Sequence, residues 1–264
     1  MSDEELPSTE STANAFPVIR QVKPGFILDW LHAGVGDTHR AGFSSLFYGA
    51  FFAIAGWGME IVFSEAYGLF SGLMTGFLLL GPFLAMGLYD LSKQIEQGKQ
   101  PKLLPSLTAW RPNLLNVGLF AGLLVAVLLI WARASLVIFA LFFENGVFPT
   151  LTDVILSVIS LKQPTFAIVY FAVGGAFAAF VFAISVVAVP LMADRKTDAI
   201  TAALASIVAC TQNPLTMLLW GFCIVVLVGF GFATNFVGFI VTMPIAGHAS
   251  WHVYRAVVEA EKAA

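Results

Sequence analysis

From Asn213 through Tyr254 the chain runs for 42 residues without an Asp, Glu, Lys or Arg. As one α-helix this stretch would reach about 63 Å at 1.5 Å per residue. That is twice the ~30 Å hydrocarbon thickness of a bilayer. The run therefore predicts two transmembrane helices joined by a turn. The glycine-rich GFGFATN segment, Gly229 to Asn235, is the weakest point and supplies that turn. The two spans then cover about 214–228 and 236–253.

Four more spans follow from the same reasoning. The first, about 41–62, holds no charge from Ala41 through Met59, and the second, about 66–91, none from Ala66 through Tyr89. Only SEAYG separates them, so they form a helical hairpin. The third begins at Leu114, and its apolar run continues to Phe143 with only Arg133 inside it. At about 45 Å this run exceeds the bilayer core. Its span is read as 114–135, with the helix either tilting outward or breaking near Arg133. The fourth starts at Pro164, a residue suited to a first helical turn, and ends near 193. The stretch 144–163 is mildly apolar and is expected along the outer face. The whole reads as an all-α membrane protein of six helices in three hairpins.

Composition supports this. Charged residues are 11% of the 264 and hydrophobic residues 59%, whereas soluble domains carry about 25% charged residues. A net charge of −3 excludes a basic nucleic-acid surface. Cys210 and Cys223 lie apart and form no CxxC, which argues against a disulfide framework or zinc cluster. Residues 1–24 open acidic and lack an apolar core, so they read as a disordered tail rather than a signal peptide. Residues 25–260 then form one transmembrane domain. Within it, Phe26, Ile27, Trp30 and Leu31 share one side of a helix, predicted to lie flat on the membrane. DAITAALASIVACTQ, 198–212, is too short and polar to cross and is read as a second interfacial helix.

Lys and Arg placement orients the spans. Arg20, Lys23, Arg40, Lys93, Lys99, Lys102, Arg111, Arg195, Lys196, Arg255 and Lys262 fall on one side. Lys162 and Arg133 fall on the other. The first side is expected to be cytoplasmic, with both termini on it. Each hairpin is preceded by a polar segment, and the second helix of each carries a proline: Pro82, Pro190 and Pro244. A threefold duplication and simple convergence of membrane composition both account for this.

Few residues offer chemistry. His248 and His252, at i and i+4 in GHASWHVYR, share one helix face and can grip one metal or anion. Asp37, Asp90 and Asp194 fall on the same side, and mixed nitrogen and oxygen ligands suit zinc or iron. The alternative is a pair of headgroup-level histidines bonded to loop carbonyls. Arg133 is the most embedded charge, and such residues are functional candidates because they are costly to bury. It can instead snorkel or pair with Glu60 or Glu144. Asp90, Asp194 and Arg255, at inner helix ends, complete the candidate set. Haem would require histidines at span centres, and none is there; no cofactor is predicted. Gly72 with Gly76, Gly118 with Gly122, and Gly174 give small-residue faces, expected to serve internal packing more than partner docking. No P-loop, GxSxG, HExxH or dinucleotide fingerprint is present.

Three stretches carry a family resemblance: SLFYGAFFAIAGWG, GPFLAMGLYDLSKQIEQG, and VPLMADRKTDAITA with PIAGHASWHVYR. They resemble the bacterial integral membrane family catalogued as domain of unknown function 2189, over roughly residues 20 to 258. The resemblance implies a bacterial inner-membrane protein of unassigned activity, and a loose association with respiratory complexes. The leading functional expectation is a non-enzymatic accessory subunit or assembly factor acting on the lipid bilayer and other inner-membrane proteins. A small-molecule or lipid transporter, and a metal-dependent membrane enzyme using the inner His/Asp cluster, are the alternatives.

Overall fold

The computed structural model describes residues 16–65, 83–142 and 164–260. The helices are α1 Ile27–Ala41, α2 Phe43–Glu65, α3 over 83–96, α4 Leu103–Ser106, α5 Leu114–Phe142, α6 Pro164–Ser185, α7 Ala188–Arg195, α8 Ala199–Gln212, α9 Pro214–Ala233 and α10 Phe239–Val257. Among the described residues there is no β-sheet, only an isolated bridge between Ile19 and Val258. Three helical stretches are long and apolar enough, by length and composition, to cross a membrane: Leu103–Phe142, Pro164–Arg195 and Pro214–Ala233.

α10 is the centre of the assembly, packed along α1, α2 and α9. Glycines let it come close. A Cβ on Gly34 of α1 would sit 2.8 Å from Ala249. On α2, a Cβ on Gly49 would run into the backbone carbonyl of Ile240. That carbonyl is four residues before Pro244, which has no N–H to offer it. Pro244 thus frees a carbonyl, and Gly49 makes room for it while α10 stays helical on both sides.

Pro190 acts differently. Its ring and missing N–H disrupt the turn above it, and the helix breaks between Ser185 and Ala188. The Val187 N–H leaves the ladder and donates to the buried Ser206 hydroxyl of α8 at 3.1 Å. Pro82, the third of these prolines, lies outside the described residues, as do Gly72, Gly76 and the stretch 144–163.

Several boundaries differ from expectation. α5 passes through Arg133 without a break. α9 continues beyond 228 to Ala233, and the turn falls after it, with positive φ at Asn235 (51°) and Phe236 (66°). Gly229 and Gly231 are helical; Gly231 leaves space for the Phe239 ring across the turn. α10 then ends at Val257, four residues past the expected 253. The end of the 1–24 segment is anchored, not free. The Arg20 N–H donates to Val257 O at 2.7 Å, and Glu259 N–H to Val18 O at 3.0 Å. Asn213, at the start of α9, accepts from Val22 N–H and donates to Arg20 O. These bonds bring the two ends of the described chain together.

Candidate functional site

The buried stripe of α1 is Ile27, Trp30, Gly34, Asp37 and Ala41, a helical spacing of three, four, three and four. This stripe faces α10, not only a lipid surface. It carries one charge inward, Asp37, which is 5% exposed. α2 presents Ser45 to the same place, α3 presents Ser92, and α10 presents His248 and His252.

The five side chains form one hydrogen-bonded chain. Ser92 Oγ donates to Asp37 Oδ2 at 2.8 Å. His248 Nδ1 lies 2.7 Å from the same Ser92 Oγ. Since that hydroxyl's proton points at Asp37, Nδ1 carries the hydrogen and donates. His248 Nε2 is then the acceptor, receiving the Ser45 hydroxyl at 2.7 Å. On the other side, His252 Nε2 donates to Asp37 Oδ2 at 2.8 Å. Every polar atom of the buried imidazole is satisfied, as a buried polar network requires. Burial raises the Asp37 pKa, but the hydrogen bonds from His252 and Ser92 outweigh it, so the carboxyl titrates below its ordinary value of 3.8.

The order hydroxyl, imidazole, orienting group is that of an activated nucleophile. Ser45 and His248 are both 0% exposed, however, so no substrate atom reaches the Ser45 oxygen. The arrangement acts as a clamp: it ties α1 to α2, α3 and α10 through groups that are costly to leave unpaired.

A second network lies beside it. Asp194 of α7 takes Lys93 Nζ at 2.8 Å and the Tyr254 hydroxyl at 2.7 Å. Arg255 donates to Glu96 Oε1 through Nε at 3.0 Å and Nη2 at 2.7 Å. The Trp251 indole N–H donates to Glu96 Oε2 at 3.2 Å. The Arg195 guanidinium donates to the Glu259 carbonyl. Lys93 and Glu96 belong to α3, so this layer joins α3, α7 and α10. Below it, Asp198 caps α8 by accepting the Ile200 and Thr201 N–H groups, and the Thr201 N–H foremost lowers its pKa.

The structure therefore gathers most of the candidate residues. His248, His252 and Asp37 share one network, and Asp194 and Arg255 share the adjoining one. His248 is enclosed by serines. Among the described residues no group of three or more His, Cys, Asp or Glu could hold a metal. Asp90 stands apart in an open recess of about 630 Å³ with Lys93, Lys99 and Lys102, and accepts Gln94 Nε2 at 2.6 Å. Arg133 is exposed on α5, remote from this layer. Glu60 is exposed on α2; Glu144, its other expected partner, lies outside the described residues. Sequence reasoning missed Ser45, Ser92, Glu96 and Tyr254. Serines in apolar helices carry little signal alone. Glu96 and Tyr254 did lie one turn from Ser92 and beside Arg255.

Apolar helices with a buried polar clamp at one end define an integral membrane protein of the helical class. Residues 69–194, just under half the chain, match the family catalogued as domain of unknown function 2189 and described as a predicted integral membrane protein. The match takes in GPFLAMGLYDLSKQIEQG and the start of VPLMADRKTDAITA, two of the stretches that carry the resemblance. No curated protein and no solved structure matches the chain.

Proposed function

We propose that this protein crosses a bacterial inner membrane six times, with both termini cytoplasmic, and works as a non-enzymatic accessory or assembly subunit through its helix faces. The observation that carries this reading is the contrast between its polar and apolar surfaces. Asp37, Asp194 and Glu96, with the cations and histidines facing them, are bonded to one another and hold the fold together. No described atom lies within 4 Å of a Cβ placed on Gly118 or Gly122 of α5. The same holds for Gly175 of α6, while Gly174 meets the Trp131 ring at 3.0 Å. A GxxxG face open in this way lets another membrane helix approach closely. The ten described cations of the Lys- and Arg-rich segments support the cytoplasmic placement of both ends.

Purification from native membranes in mild detergent tests this. The wild-type chain is expected to co-elute with a reproducible set of membrane proteins. The Gly118→Leu, Gly122→Leu double variant is expected to lose them while keeping its melting temperature. A wild-type chain that elutes alone, or an α5 variant that keeps every partner, overturns the reading.

A further inference from the structure

α6 and α9 line opposite sides of one groove. They meet where the Phe182 ring lies 3.5 Å from the position a Cβ would take on Gly221. Between them is a groove of about 870 Å³. Its α6 wall is made shallow by Ala178, Ala179 and Ala183, and its α9 wall by Gly221. Small residues are what keep the space open, since larger ones at these positions would close the two helices over it.

The groove has a direction. Along α9 it runs from Pro214 to Val225, about 16 Å at 1.5 Å per residue. That is about half of the ~30 Å hydrocarbon core, or the depth of one leaflet. Polar groups line it only at the Pro214 end. Ser185, Cys210, Tyr89 and Ser250 are there, at the level where the clamp and the cations collect. The far end, at Phe222 and Val225, is wholly apolar. Its neighbouring phase is hydrocarbon.

We propose that this groove holds one acyl chain of a phospholipid from the leaflet on the clamp side. The chain lies along Ala179, Phe182 and Gly221, and its ester and headgroup sit at the polar end. The proposal rests on the bilayer placement given above but not on the accessory role, which uses α5.

Reconstitution into phosphatidylethanolamine vesicles doped with a photoreactive-acyl phosphatidylethanolamine tests it, followed by peptide mapping of the labelled chain. Labelling of 178–189 and 214–225 is expected to exceed that of the exposed α5 face, 115–130, several-fold. Ala179→Trp fills the groove from an exposed position and is expected to remove the excess while the protein stays folded and inserted. Ala183→Leu provides a milder filling and an intermediate loss. Even labelling of α5, α6 and α9 overturns the proposal, as does an excess that survives Ala179→Trp. So does a chain-to-chain cross-link at these peptides in place of the lipid adduct, which would make a second copy the occupant. Failure here leaves co-elution through α5 intact. Protein that does not insert in the vesicles at all would instead sink the bilayer placement.

Discussion

The two ends of this helical assembly are built on different principles. At the clamp end, α1, α3, α7 and the last turns of α10 interlock through buried polar atoms. Ser45, Ser92, Asp37 and His248 are all at most 9% exposed there, beside the fully buried Trp251, Tyr254 and Met192. Away from it, α5 and α6 are shafts with few enclosed side chains; α6 buries only Phe166 and Ile184. In hydrocarbon, apolar burial drives little association between helices. Specific bonds and close backbone approach must do so, and the buried side-chain hydrogen bonds among the described residues are concentrated at one end. The other end packs through aromatic rings: Trp131 and Phe139 of α5 and Phe166 of α6 lie against Tyr170.

The largest effect should come from the close approach between α2 and α10. Gly49→Val forces a branched side chain against the carbonyl freed by Pro244. Overpacking against backbone, which has little room to shift, should cost about 3 kcal/mol. It should appear as loss of folded protein in fluorescence size-exclusion profiles. A Gly49→Val protein with wild-type yield and melting temperature would mean that α10 is not seated as described.

Next comes the clamp. Asp37→Ala removes the acceptor of both Ser92 and His252, and each hydrogen bond to a charged group contributes about 1.5–3 kcal/mol. A loss of about 3 kcal/mol is expected in detergent melts. Its pH dependence has a definite sign. The Asp37 pKa is depressed in the folded protein, so its contribution is complete above 3.8 and is lost as pH falls below 3.8 through the folded value. The difference between wild type and Asp37→Asn should therefore shrink as pH falls through that acid window. A difference that grows as pH falls below 3.8 would contradict the assigned bonding.

The smallest effect marks the edge of the clamp end. Asp198→Ala removes the cap of α8 and should cost about 1 kcal/mol. Asp198→Asn or Ser should restore most of it, because either side chain can still accept the N–H bonds. Equal losses for Ala, Asn and Ser would assign Asp198 another role.

Much of the fold was legible from charge and apolar length alone. Pro164 places the start of α6 well, and the expected start at 214 is where α9 begins, because a first-turn proline is a local cause. The turn between α9 and α10 was misplaced because glycine has two uses. Gly229 and Gly231 looked like a chain reversal, yet Gly231 serves the close approach of Phe239. Ile27 and Trp30 of the α1 stripe were visible, but Phe26 proves exposed and the partner of the stripe was not legible: an apolar face at helical spacing looks the same whether it meets lipid or protein.

The site divides along the same line. The pairing of His248 with His252 is local and follows from i and i+4 on one helix. What each imidazole bonds to is not local. Asp37 and His252 are 215 residues apart and Ser45 and His248 are 203 apart. By itself, then, the sequence determined that the chain is an apolar helical membrane protein, where α5, α6 and α9 begin, and that its histidines and most of its cations fall in the same segments. Hydrophobicity and local capping act within a few residues, so they can be read one segment at a time. Only the tertiary structure decided that Asp37, Ser45, Ser92 and His248 share one buried chain, that Gly49 faces the Ile240 carbonyl freed by Pro244, and that no described atom closes over Gly118 and Gly122. Those depend on which helix faces meet, and close packing sets that jointly for all of them.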